Sequence, residues 1–123
     1  PMVFVLLSLF FATLLGCYQP SASSSPQRTV EALLSLLHDR DAVSRRTAAE
    51  ALGKIGDARG AGPLIESLKD EDWLVRRNAA ESLARLGAKQ AIDPLLPLLE
   101  DENTMVQETV EGVLASLGWK AKP

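Results

Sequence analysis

Two hydrophobic patterns divide this chain. From Met2 to Leu15 the sequence MVFVLLSLFFATLL is apolar except for Ser8 and Thr13, and no polar stripe recurs at helical spacing. From Val30 onward apolar residues instead return at i, i+3, i+4 and i+7, as in Val30, Leu33, Leu34 and Leu37, which marks one buried face of a helix. Val75, Ala79, Leu83 and Leu86 form a comparable stripe further on. Between the two patterns lies YQPSASSSPQ, without Leu, Ile, Val or Phe and with three consecutive serines, which reads as a flexible linker.

The helical part repeats. DAVSRRTAAEALGKIG from Asp41, DWLVRRNAAESLARLG from Asp72 and NTMVQETVEGVLASLG from Asn103 align without a gap at a constant spacing of 31 residues. VEALLSLLHD from Val30, AGPLIESLKD from Ala61 and IDPLLPLLED from Ile92 keep the same register. Each unit is therefore a pair of amphipathic helices, and the expected fold is all-α, a short solenoid of three helix pairs. Asp41, Asp72 and Asn103 suit the N-caps of the second helices, and Gly56, Gly87 and Gly118 suit their left-handed ends. Pro63 and Pro94 fit first turns, whereas Pro97 predicts an irregular helix.

These repeats resemble the HEAT-like repeats of the phycobilisome-lyase type, read as D-x-D-x-x-V-R-x-x-A-A-x-x-L-x-x-[IL]-G. The second copy, DEDWLVRRNAAESLARLG, follows that pattern nearly throughout. Ser44 stands where the pattern has Val, and Gln107 and Glu108 replace the arginines of the third copy. With Glu111 and Gly112 also departing, the third repeat reads as a polar terminal cap, and the domain as complete. The boundaries expected are residues 28–120 for the repeat domain, divided at about 28–58, 59–89 and 90–120. The resemblance implies that the second helices line a concave face. Their exposed stripe, Arg46, Glu50 and Lys54 followed by Arg77, Glu81 and Arg85, is then either a recognition strip or a self-satisfied run of i,i+4 pairs. It further implies that Arg45 and Arg76 are structural, each reaching an aspartate of an adjacent repeat, Asp41 or Asp72. Trp73, at a turn position filled by Ala42 and Thr104 in the other copies, is a candidate contact residue.

The first pattern is too short for a bilayer span, which needs roughly 20 apolar residues, and suits a secretory h-region over residues 1–16. Leu14-Leu15-Gly16-Cys17 resembles the lipobox of bacterial lipoproteins, which implies lipid attachment at Cys17 and a tether over residues 17–27. The location that follows is a lipid anchor in the bacterial cell envelope, on the periplasmic face of the outer membrane in a Gram-negative cell. A secreted or periplasmic protein is the alternative.

Composition narrows the chemistry. A formal charge of −3 with both signs interspersed points away from nucleic acid. One cysteine and one histidine, His38, cannot build an internal disulfide or a zinc site, and no metal or other cofactor is expected. His38 has no nucleophile nearby in the sequence, so no catalytic residue is assigned and the chain is expected not to be an enzyme. The leading expectation is a monomeric, membrane-tethered module that binds a protein partner as a scaffold or adaptor. The other is a bilin lyase-like or chaperone-like accessory protein, which the family resemblance implies.

Overall fold

The computed structural model describes residues 26–123; the apolar segment, Cys17 and most of the linker lie outside the described residues. Six α-helices follow in order: α1 Pro26–Leu36, α2 Ala42–Ile55, α3 Ala61–Ser67, α4 Trp73–Arg85, α5 Ile92–Leu95 and α6 Thr104–Ser116. Short 3₁₀ turns precede α3 and α5, at Ala58–Gly60 and Lys89–Ala91. The fold is an all-α solenoid of paired helices. Helix α1 is described from Pro26, the first of the described residues.

The caps account for the second helices. Asp41, Asp72 and Asn103 take extended backbone and accept from the amides of Val43, Val75 and Met105, relieving donors that have no partner within the helix. Gly56, Gly87 and Gly118 follow at φ of 75°, 62° and 89°, a conformation that a Cβ would strain. At Pro97 the first helix of repeat three breaks. Helix α5 stops at Leu95, and Leu96–Glu100 continue as a 3₁₀ helix.

Packing runs along the second helices, α2 against α4 and α4 against α6, while α1 and α3 each cover the second helix of their own repeat. The 3₁₀ segment Leu96–Glu100 covers α6 in the same way. Leu52, Leu83 and Leu114, one per repeat, are fully buried together with Leu64 and Leu95 from the first helices. Alanines 48, 49, 79 and 80 are also fully buried, and their small side chains allow the second helices to approach closely. No helix among the described residues is long and apolar enough to cross a membrane.

Candidate interaction surface

Each turn between paired helices is organised by an aspartate two residues before the N-cap. Asp39, Asp70 and Asp101 accept from the amides of Asp41, Asp72 and Asn103 at 2.8, 2.9 and 2.9 Å. An arginine then ties one turn to the next. Arg45 Nη1 donates to the carbonyls of Asp39 and Arg40 in its own repeat, at 2.8 and 3.1 Å. Its Nε and Nη2 donate to the Asp70 carboxylate of the following repeat, at 2.8 and 3.1 Å. Arg76 repeats the arrangement, holding the carbonyls of Asp70 and Glu71 and both carboxylate oxygens of Asp101, the latter at 2.9 Å each. Gln107 keeps only the inward half, donating from Nε2 to the Asp101 carbonyl at 2.6 Å.

Arg45 and Arg76 are therefore buried inter-repeat ties, but their partners are Asp70 and Asp101 rather than Asp41 or Asp72. The adjacent arginines divide between two aspartates of one turn: Asp70 takes Arg45, while Asp72, which also caps its own helix, takes Arg46. The doubled aspartate of D-R-D and D-E-D, reduced to D-E-N in the third copy, is the sequence signal for this division of labour. Burial opposes ionisation of Asp101, yet the bonds from Arg76 and from the Asn103 amide outweigh it and hold its pKa below the ordinary carboxylate range.

The exposed strip on the second helices is largely self-matched. Arg46 reaches across to Asp72, Nε donating to Oδ1 at 2.8 Å and Nη2 contacting Oδ2. That hydrogen-bonded guanidinium, with the Val75 amide, lowers the Asp72 pKa to about 2. Lys54 lies 2.6 Å from Glu50, and its hydrogen bond lowers the Glu50 pKa. Arg77 Nε sits 3.2 Å from Glu81 Oε1 without the alignment of a hydrogen bond, and this buried nitrogen has no other acceptor. Arg85 is exposed. Of the five residues expected to contact a partner, Arg46 is thus committed to a neighbouring repeat, Arg77 and Glu81 are half-buried beside each other, and Arg85 is open to solvent. Trp73 is half-buried, its ring packed against the core while part of it stays accessible.

A row of apolar side chains borders this strip and was not singled out from the sequence. Val43, Leu74 and Met105 occupy one register position in the three repeats, one residue after Trp73 and its equivalents; Val43 is 58% and Met105 44% exposed. The signal was present in the alignment, as an apolar residue in all three copies at a position that no helical stripe requires. Elsewhere, a shallow cavity of about 180 Å³ lies between the ends of the first helices, lined by Leu37, His38, Glu66, Ser67 and Asp70. Among the described residues no group of three or more His, Cys, Asp or Glu side chains is placed to hold a metal ion.

Comparison with known proteins agrees with this architecture. The family model for HEAT repeats matches residues 11–68 and 61–122. A search of curated proteins finds no significant match. Among solved structures, the complex of CpcE and CpcF of phycocyanin lyase from Nostoc sp. PCC7120 superposes with a TM-score of 0.68 at 32% identity, over 81% of this chain and 41% of the matched chain. An engineered protein superposes with a TM-score of 0.61 at 27% identity, over 72% of this chain and 44% of that one. The chain thus spans less than half the length of either. The likeness to a lyase corrects the expectation of a non-enzymatic chain. That expectation rested on a missing catalytic constellation, and a protein built from similar repeats is nonetheless named as a lyase.

Proposed function

The chain belongs to the HEAT-repeat family, and on that footing we propose that it serves as a protein-binding subunit of the bilin-lyase type, presenting its second helices to a client protein. The observation that carries this reading is its 32% identity to a phycocyanin lyase complex across four fifths of its length. Surface chemistry supports it. The Val43, Leu74 and Met105 row supplies apolar area, Trp73 an aromatic edge, and the exposed Arg85 a cation for an acidic counterpart.

The test mixes the purified full chain with apo-phycocyanin and a free bilin and follows visible absorbance. A red-shifted, chain-dependent band that weakens in Leu74→Ser with helicity unchanged supports the reading. No spectral change at micromolar chain concentration overturns it. A second reading is favoured by the Leu14 to Cys17 motif: a lipid-anchored binding module of the bacterial cell envelope. Intact mass of protein purified from bacterial membranes decides that point. A diacylated species beginning at Cys17 and lost in Cys17→Ser supports the anchor, and an unmodified thiol removes it.

A further inference from the structure

Among the described residues, one half-buried guanidinium on the second helices makes no hydrogen bond. Its counterpart one repeat earlier, Arg46, gives Nε and Nη2 to the two carboxylate oxygens of Asp72, whose Oδ1 also caps α4 at the Val75 amide. Arg77 and Asn103 hold the same two register positions in the following repeats. Asn103 keeps the cap, its Oδ1 accepting from the Met105 amide at 2.9 Å. Its other polar atom is an N–H donor, so the position that receives a guanidinium in the repeat before offers Arg77 no second acceptor. Arg77 Nε is buried without a hydrogen-bond partner, and Glu81 Oε1, 3.2 Å away, is out of line. With the arginine N-terminal to the glutamate, this is also the weaker orientation of an i,i+4 pair. A buried donor in that state is costly, and an added acceptor relieves the cost.

We propose that Arg77 and Asn103 form a binding site for one external carboxylate, which does for Arg77 what Asp72 does for Arg46. Glu81 is the placeholder, released to water when the ligand seats. The flat two-oxygen group matches the guanidinium fork. Phosphate suits the site less well, because Glu81 and the exposed Glu108 oppose a second negative charge. Leu74, three residues before Arg77 on the same helical face, and Met105, 44% exposed, supply apolar surface for the stem of an acidic side chain. The carboxylate is assigned to an aspartate or glutamate of the client protein. That assignment rests on the proposed lyase-type function, whereas the site itself does not.

The test follows the Arg77 Nε–H resonance of the isotope-labelled full chain while acetate replaces chloride at constant ionic strength. The expected result is a saturable shift in the native chain, with a midpoint at least about threefold lower in Glu81→Gln. Asn103→Asp is expected to abolish the shift, because it supplies the carboxylate within the chain. It also keeps the α6 cap, since aspartate already caps α2 and α4. No shift in the native chain, an equal shift in Asn103→Asp, or an unchanged midpoint in Glu81→Gln overturns the site. A second arm measures binding to apo-phycocyanin, where a loss of at least about tenfold in Asn103→Asp with helicity unchanged supports the client assignment. Client binding indifferent to that variant overturns the assignment, and a bilin band lost in the same variant gives the carboxylate to the bilin instead. An acetate response without any binding to apo-phycocyanin defeats the lyase reading alone.

Discussion

Between repeats one and two, two side chains of one second helix bond to the backbone of the other, whereas the equivalent positions between repeats two and three hold Thr109 and Val113. At the first junction Gly53 makes room for Ser82, whose hydroxyl donates to the Ala49 carbonyl at 2.6 Å, and Asn78 donates to the Arg46 carbonyl at 3.2 Å. At the second, the register replaces Gly53 by Ala84, Ser82 by Val113 and Asn78 by Thr109. Both junctions carry the same arginine tie, Arg45 to Asp70 and Arg76 to Asp101. The comparison teaches that the tie and the filling are separable. One positions consecutive turns, while the other sets how closely the helices lie, and either chemistry serves if every buried polar group is satisfied.

The sharpest way to break the comparison is to remove a tie. Arg76→Ala strands the Asp101 carboxylate in the interior and is expected to cost about 3–5 kcal/mol in urea denaturation. Arg45→Ala is expected to cost less, since Asp70 is more exposed than Asp101 and can recover water. Next comes the filling. A Cβ at Gly53 would stand 2.3 Å from Ser82 Oγ and 2.8 Å from Ser82 Cα, so Gly53→Ala must push the helices apart, at about 1–3 kcal/mol. Ser82→Ala should not rescue it fully, because the backbone contact remains. Alone, Ser82→Ala is expected to lose about 1 kcal/mol, the net worth of one hydrogen bond.

The remaining expected effect is acid sensitivity. Asp72 titrates at about 2 in the folded chain against 3.8 without its partners, so its contribution is complete above pH 3.8 and disappears as pH falls through about 2. Asp101 shifts in the same direction. Asp72→Asn, which keeps the cap, should flatten the acid limb of the stability profile over that window while leaving the neutral plateau lower. A steeper acid limb in the variant would contradict the assignment of the Arg46 bond as its cause.

Much of the fold was legible in the chain because helix signals are local. Caps, glycine stops and apolar stripes each act within a turn or two, and the 31-residue register repeated them three times. The candidate surface was less legible. Arg46 looked identical to Arg77 in the alignment, yet one spans to the next repeat and the other lies beside Glu81 on its own helix. The difference comes from the acceptor side: position 72 is an aspartate, while its equivalent 103 is a neutral asparagine. Val43, Leu74 and Met105 became a row only when three helices lay side by side.

By itself, then, the sequence determined helix pairs, their period, their ends and the identity of the repeating arginine. Those properties follow from backbone capping and from side chains three or four residues apart, where chain connectivity limits the choices. Tertiary structure alone decided which aspartate takes which guanidinium, and which charges remain open to solvent. Such pairings join residues about 25 positions apart, and their geometry depends on the distance and rotation between stacked helices. Small buried residues such as Gly53, Ala49 and Ala80 set that geometry, and their effect cannot be read from any one repeat.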